Sequence, residues 1–308
     1  MIVKPFGFMG MGSEFDPTLG GTISPYFWYD FTDSSTMTLS GTDVVDIASK
    51  GSNTGTLAKG TTATKYTTNY LAPIFNGTYT QFRGIRAGGD RNSCLSRKYG
   101  TGTAATDGSF GADTNNTSFF FIKPTWNQSS YTWVASWKGA SVTAGSQPEE
   151  WGMCMLSDGS GYPGNSFYAA NSYATNANFT VFTHALSNTN NSVYFSYDSS
   201  GKITGQTLDQ YHCQVVRNTS TGGSYADQEV GRNTTDTYCC VNGPKNTGGS
   251  STQEYFTMGG RARNDVKYGG NFEVKHVVIY ESSLSDTQVD NVIASYNNAY
   301  PADNLNAS

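Results

Sequence analysis

Charged residues are scarce in this chain. Lys, Arg, Asp and Glu make up 14% of its 308 residues, against about 25% in an average soluble protein. The net charge is −5, and the sequence has no cluster of Lys and Arg that could neutralise a row of phosphates. The composition therefore excludes a basic nucleic-acid-binding protein and a protein that binds membrane surfaces through charge.

Long apolar segments are absent as well. No segment approaches the roughly 18 consecutive apolar residues of a membrane-spanning helix, so we expect no membrane insertion. The first residues contain neither a continuous apolar region nor a small-residue cleavage site, and so they do not read as a signal peptide.

Cysteines are few, and their number is odd. The five are Cys94, Cys154, Cys213, Cys239 and Cys240. Two of them are adjacent, and none has the C-x-x-C spacing of a metal site. Free thiols in a protein made in a reducing cytosol are the favoured interpretation, and a disulfide framework is the alternative.

Aromatic residues, glycine and β-forming residues are abundant in the chain. Phe, Trp and Tyr make up 14% of the chain, and there are 35 glycines. Each aromatic side chain can bury about 150–250 Å², so rings can build a core where Leu is sparse. Abundant Thr, Ser and Asn add strand formers and turn formers. This composition is typical of an all-β protein.

Short β-type runs alternate with turn clusters along the chain. The clearest runs are residues 26–29, 36–39, 118–124, 131–137, 191–197, 211–216 and 254–258. Clusters of Gly, Asn, Asp and Ser lie between them, as at 51–53, 157–161 and 198–201. Many short strands at this spacing predict a sandwich or a barrel.

The C-terminal part combines a long strand with one helix. Period-two alternation over 272–280 predicts one shared face for Phe272, Val274, His276, Val278 and Tyr280. The segment 285–288 then fits the S-x-x-Q capping box, and an apolar stripe with helical spacing follows it. The stripe consists of Val289, Val292, Ile293 and Tyr296, and Pro301 ends the predicted helix.

These segments resemble concanavalin A-like lectin/glucanase domains of the laminin-G-like type. The resemblance is carried by the C-terminal strand and helix at 269–300, by the opening segment 27–60, and by the N-G and F-x-G elements at 75–77 and 82–84. It covers about 25–300, although only its ends are specific. It implies an all-β jelly-roll sandwich of two antiparallel sheets, about a dozen strands, with one short C-terminal helix.

The domain therefore spans residues 25–308, and residues 1–24 stand apart as an N-terminal arm. In this arm Phe6, Phe8, Met9 and Met11 are interspersed with glycines, which favours an anchoring segment that lies against another protein. A frayed terminus or a first strand of the domain is the alternative. The string at 12–15 also looks like a cloning junction.

Enzymatic chemistry finds little support in the sequence. Glycoside hydrolases of this fold need two carboxylates facing one cleft, and their E-x-D-x-x-E pattern is absent. Asp227 and Glu229 are two residues apart, but their Ser- and Gly-rich surroundings predict an exposed loop. Glu149 and Glu150 are likewise expected in a loop, and His276 is expected to be a packed core histidine. We predict that the protein is not an enzyme.

Carbohydrate binding fits the sequence better. Aromatic rings stack on the C–H faces of sugars, and Asn or Asp groups bind their hydroxyls. Four residues in or beside predicted loops are the candidates: Trp126, Asn127, Trp151 and Tyr162. Packing in the core is the alternative for each of them. By the family resemblance, Asp30 and Asp33 are candidates for calcium, with hydrogen bonding inside their loop as the alternative.

A structural protein of a phage virion is the leading functional hypothesis. It would be a capsid decoration protein or a tail or head fibre, assembled in the host cytoplasm, with the arm on capsid or tail proteins and the sandwich binding surface glycans for host attachment. A homo-oligomer remains open. The alternatives are a secreted or cell-surface bacterial lectin module, which would be extracellular, and a glycoside hydrolase or lyase of the same fold.

Overall fold

The computed structural model describes residues 14–59, 71–83, 93–98, 116–124, 132–139, 150–156, 166–172, 192–194, 211–219, 227–230, 240–241, 253–259 and 271–303. The strands in these ranges are β1 (Phe27–Asp30), β2 (Met37–Ser40), β3 (Asp43–Ala48), β4 (Thr56–Ala58), β5 (Ile74–Phe75), β6 (Thr80–Phe82), β7 (Leu95–Lys98), β8 (Asn116–Pro124), β9 (Thr132–Gly139), β10 (Glu150–Leu156), β11 (Ser166–Ser172), β12 (Ser192–Tyr194), β13 (His212–Thr219), β14 (Asp227–Val230), β15 (Cys240–Val241), β16 (Gln253–Met258) and β17 (Phe272–Tyr280). The helix α1 (Asp286–Ala299) and short 3-10 helices at Ser34–Thr36 and Pro301–Asp303 complete the described elements. Each run that the sequence predicts as a strand overlaps one of these strands.

The strands form an antiparallel network that curls into two layers. One layer has the order β1–β17–β8–β13–β14–β15, and β6 also pairs with β17. The other has the order β2–β3–β4–β7–β16–β9–β10–β11–β12. Strand β5 joins the layers, because it pairs with both β3 and β6. The predicted fold class, an all-β jelly-roll sandwich with one C-terminal helix, is confirmed.

Aromatic rings from both layers build the core between them. The buried residues of this core are Phe27, Tyr29, Phe31, Val44, Ile47, Leu57, Phe82, Leu95, Phe120, Ile122, Phe256, Met258, Phe272, Val274, Val277 and Ile279. Phe82 and Phe272 stack with their ring centroids 4.9 Å apart. The rings thus supply the apolar burial that the few Leu residues cannot, as the composition predicts.

The prediction of one shared face along β17 is wrong in its second half. A β-bulge between Val274 and His276 shifts the register against β8. A bulge adds one residue to a strand, so the residues beyond it change faces. Val277 therefore enters the core between the layers, whereas Val278 lies on the opposite face.

Helix α1 covers that opposite face of β17 and β8. Its capping box is confirmed: the Ser285 side chain accepts from the Gln288 N–H, and the Gln288 side chain accepts from the Ser285 N–H. The predicted stripe is buried against β17 and β8, in a second core formed by Phe15, Phe119, Phe121, Cys213, Val278, Tyr280, Leu284, Val289, Val292, Ile293 and Tyr296. Residues 119–122 of β8 consequently alternate between the two cores, which explains the unbroken apolar run in this strand.

Residues 14–24 of the predicted arm lie against the domain. Phe15 is buried in the second core. The centroid of its ring lies 5.3 Å from that of Phe121 and 5.7 Å from that of Tyr296. The Asp16 N–H donates to Ser295 Oγ of α1, and the Tyr280 hydroxyl donates to the Pro17 carbonyl. The part of the predicted arm that begins at Phe15 thus packs with the domain. Phe6, Phe8, Met9 and Met11 lie outside the described residues.

Two further sequence predictions can be compared with the structure. Asp227 and Glu229 lie in β14, opposite Thr219 and Arg217 of β13, and Glu150 is the first residue of β10, so the prediction of a loop is wrong for all three. Cys94 and Cys213 are buried free thiols, as expected for these two. Within the described ranges, no helix is long and apolar enough to cross a membrane.

Candidate functional site

A lysine clamp closes the loop that follows β1. We use this name for Lys50 with Asp30 and Asp33. The Lys50 Nζ lies 2.6 Å from Asp30 Oδ2 and 2.7 Å from Asp33 Oδ2. Asp30 ends β1 and Lys50 follows β3, so the clamp ties two strands to the loop. Asp33 also caps the 3-10 helix, because its side chain accepts from the Ser35 N–H.

The clamp keeps both carboxylates ionised. The hydrogen bonds from Lys50 and Ser35 lower the pKa of Asp33 to about 2. Burial opposes ionisation of Asp30, but His276, Lys50 and Thr32 outweigh it and hold its pKa below the usual value. The two carboxylates in turn raise the pKa of Lys50 against the effect of burial. All three groups therefore stay charged at neutral pH.

The calcium that the family resemblance implies does not fit this arrangement. Calcium needs six to eight oxygen ligands, and each oxygen of the two carboxylates already accepts a hydrogen bond. Asp30 Oδ1 accepts from the Thr32 hydroxyl and N–H, Asp33 Oδ1 accepts from Ser35, and Lys50 takes both Oδ2 atoms. Among the described residues, no group of three or more His, Cys, Asp and Glu could hold a metal ion. Asp30 and Asp33 therefore have the hydrogen-bonding role that the sequence left as the alternative.

His276 connects the clamp to the end of α1. The Trp28 indole N–H donates to its Nδ1 at 3.4 Å, and its Nε2 lies 2.8 Å from the Tyr300 hydroxyl. Nδ1 also lies 3.3 Å from Asp30 Oδ1, so the ring is held between the Trp28 indole, the Asp30 carboxylate and the Tyr300 hydroxyl. Burial lowers the pKa of His276 to about 4 despite the neighbouring Asp30 carboxylate. His276 is thus a packed, hydrogen-bonded core histidine, as the sequence predicts.

A row of alternating tyrosine and lysine side chains begins at Tyr300. The tyrosine–lysine row consists of Tyr300, Lys275, Tyr211, Lys123 and Tyr79. The Lys275 Nζ lies 4.3 Å from the ring centroids of both Tyr211 and Tyr300. The Lys123 Nζ lies 5.6 Å from the Tyr211 ring and 5.7 Å from the Tyr79 ring. Each lysine therefore stands between two rings at cation–π distance.

Two buried carboxylates balance the two lysines of the row. The Lys123 Nζ lies 2.7 Å from Glu273 Oε2, and the Lys275 Nζ lies 2.6 Å from Asp303 Oδ2. The Tyr211 hydroxyl donates to Glu273, and the buried Glu273 raises the pKa of Tyr211 together with desolvation. Such ion pairs, flanked by rings, fix the side chains of the row in one arrangement.

The row has the features that the sequence analysis looked for in a sugar site. Tyr79 and Tyr300 are half-buried, and their exposed parts offer aromatic surface. Lys123 keeps 22% of its side chain exposed and can donate to a ligand. These residues are hard to find from sequence because they come from five separate segments. The available signal was the charge of Glu273 and Lys275 within an otherwise apolar strand.

The residues predicted for sugar binding are only partly described. Trp126, Asn127 and Tyr162 lie outside the described residues. Trp151 is the second residue of β10, opposite Trp137 of β9 and Asn171 of β11. Residues 150–156 continue the antiparallel ladder from β9. The predicted role of these four residues stays a prediction.

Comparisons with solved structures support the fold. No protein-family profile and no curated protein sequence matches the chain. The Trypanosoma rangeli sialidase in complex with sialic acid is similar over 92% of this chain and 33% of its own, at 9% identity and a TM-score of 0.50. A structure of botulinum neurotoxin type C, with a TM-score of 0.49 and 11% identity, covers 89% of this chain and 51% of its own. The ligand-binding domain of botulinum neurotoxin serotype D in complex with N-acetylneuraminic acid has a TM-score of 0.47 and 10% identity. The match covers 91% of this chain and 52% of that domain's chain.

At these identities the similarity extends to the fold and not to an activity. The chain spans between a third and about half of the length of these three structures. They include a sialidase, which is an enzyme, and toxin binding domains. The class of protein that fold and site define together is a jelly-roll sandwich with an aromatic, lysine-bearing surface.

Proposed function

We propose that this protein is a non-enzymatic, glycan-binding jelly-roll domain displayed on a virion. The sandwich binds surface glycans of a host, and the first thirteen residues anchor it to capsid or tail proteins. The tyrosine–lysine row carries the first part of this proposal. The second part rests on the sequence of the arm, with Phe6, Phe8, Met9 and Met11 among glycines.

The row suits sugar recognition because its side chains are already fixed. A ligand that binds ordered side chains avoids the cost of ordering them, about 0.5–1.5 kcal/mol for each. Tyr300 is held by His276, and Lys275 is held by Asp303 at 2.6 Å. Tyr79 and Lys123 add a ring and a donor at the surface. This combination of rings and polar groups is what carbohydrate binding requires.

The pairing of carboxylates with lysines in the clamp and in the tyrosine–lysine row favours binding over hydrolysis. A glycosidase needs one carboxyl group that holds a proton and a second that is free to act. Here Glu273 and Asp303 are each paired with a lysine, and Asp30 and Asp33 share Lys50. A carboxylate that is held by a lysine is not free to act in this way.

Glycan binding is tested with the full chain on a multivalent panel of glycans and bacterial surface polysaccharides. Tyr79→Ala should reduce binding about tenfold, because it removes a ring that stacks on sugar, worth about 1.5 kcal/mol. Trp126→Ala and Trp151→Ala test the platform predicted from sequence, and Leu39→Ala, at an exposed apolar residue, is the control. No binding by the unmodified protein to any member of the panel would refute the proposed function.

The anchoring role is tested by deleting residues 1–13. This deletion leaves Phe15 and its contacts in the second core intact, so the domain should fold as before. We expect the shortened protein to lose association with virus particles while it keeps glycan binding. Unchanged association with particles would contradict the role of the arm.

Cleavage of a glycan, by a hydrolase or a lyase reaction, is the second candidate function, and one observation favours it. Asp227 and Glu229 lie two residues apart in β14, and residues so spaced share a face of a strand. If the protein cleaves sugars, reducing ends should be released from a glycan that it binds. That activity should disappear in both Asp227→Asn and Glu229→Gln, whereas a binding domain releases nothing.

A further inference from the structure

We propose that the tyrosine–lysine row binds a sugar that carries a carboxylate. This inference rests on the proposed glycan binding and specifies the class of ligand. It depends on how the charges of the row are distributed between the interior and the surface.

The charge that faces solvent in the row is positive, although the total is balanced. Lys123 keeps 22% of its side chain exposed, while its partner Glu273 keeps 7%. Lys275 and Asp303 are both about nine-tenths buried, at 10% and 11% exposed. A ligand that approaches the row therefore meets the Lys123 ammonium before it meets either carboxylate.

The position of Lys123 suits a carboxylate better than a hydroxyl. Its ammonium has three N–H donors, and Glu273 accepts one of them at 2.7 Å. Hydrogen bonds between an ammonium and a carboxylate are roughly twice as strong as neutral ones. A hydroxyl of a neutral sugar could accept from the same ammonium, but this hydrogen bond would be weaker because the hydroxyl carries no charge.

The neighbouring ring fixes where the sugar lies relative to Lys123. Tyr79 is partly exposed, and its ring centroid lies 5.7 Å from the Lys123 Nζ. A pyranose ring bears its carboxylate one bond away from the ring carbon. A sugar stacked on the Tyr79 ring can therefore direct an attached carboxylate to the ammonium.

The net charge of the chain makes the binding of an acidic glycan depend on a local cation. The protein carries −5 overall, so it repels polyanions at long range and needs a local cation to bind one. Salt weakens both effects, because the Debye length at 0.1 M is about 10 Å. We expect acidic glycans to bind in a way that depends on Lys123 and on ionic strength.

The experiment uses the full chain and pairs of glycans that differ only in the carboxylate. Oligogalacturonate, alginate and hyaluronan oligosaccharides are each compared with their carboxyl-reduced counterparts, on the same surface and at low salt. At least one acidic member should bind about fivefold more tightly than its reduced counterpart, which is the gain expected from a partly exposed ion pair. Lys123→Met should abolish this preference, and Lys123→Arg should keep most of it.

The controls separate this inference from the proposed function. Lys59→Met removes a lysine of β4's edge, away from the row, and should leave the preference unchanged, and circular dichroism checks that each variant folds. If acidic and reduced glycans bind equally, or if Lys123→Met keeps the preference, the inference about the carboxylate fails while glycan binding stands. If neither these oligosaccharides nor the neutral panel bind, the proposed function fails as well.

Discussion

Replacing Lys50 by methionine should destabilise the protein by about 2 kcal/mol. Removing one partner of a buried ion pair costs about 3–5 kcal/mol, and an exposed pair contributes about 0–1 kcal/mol. The side chain of Asp30 is 8% exposed, whereas those of Lys50 and Asp33 are 28% and 33% exposed. Water can replace part of the lost ammonium, and Thr32 still donates to Asp30. The expected cost therefore lies between the two limits.

Urea unfolding of the full chain at pH 7 measures this cost. Double-mutant cycles with Asp30→Asn and Asp33→Asn then separate the two halves of the clamp. The coupling of Lys50 to Asp30 should be larger than its coupling to Asp33, because Asp30 is more deeply buried. Lys59→Met is the control and should change stability by less than about 0.5 kcal/mol. A Lys50→Met variant as stable as the control would show that the clamp does not hold the loop.

Three further outcomes follow from the structure. Phe15→Ala should cost about 3 kcal/mol in urea unfolding, since it opens a cavity in the second core; an unchanged midpoint would mean that residues 14–24 do not contribute to the fold. Stability should fall by roughly 3 kcal/mol as the pH drops from about 6.5 to about 4, because folded His276 has a pKa of about 4 and the unfolded ring takes up a proton first; His276→Gln should flatten that slope. Calcium and a chelator should leave both the melting temperature and glycan binding unchanged, and a rise in melting temperature with calcium would contradict the fit of Lys50 between the carboxylates.

Local patterns were sufficient to predict much of the fold. The capping box at Ser285 and Gln288 involves neighbours in sequence, and the apolar stripe of α1 follows from helical spacing alone. The strand runs were recognisable for the same reason, since alternation and turn residues act within a few positions. Local patterns alone predicted a sandwich or a barrel, and the resemblance of both ends of the chain to concanavalin A-like domains selected the jelly roll.

Long-range contacts account for what the sequence did not reveal. Lys50 pairs with a carboxylate twenty positions away, and the tyrosine–lysine row draws on five separate segments. The bulge after Val274 turns the side chains of the second half of β17 to the other face, and no residue type in the sequence predicts this bulge. The strand β14 was missed because its Ser- and Gly-rich surroundings outweighed its own short pattern. Each of these features depends on pairing partners that the sequence does not name.

The contact between Asp16 and Ser295 places the first described residues of the chain beside its last helix. Domains whose ends are adjacent tolerate insertion into a host chain and circular permutation. This sandwich could therefore be carried as an insert in a surface loop of a larger protein, without strain on either junction. A short linker between the two ends, with new termini in a distant exposed turn such as Gly77, should give a permuted chain with the same fold.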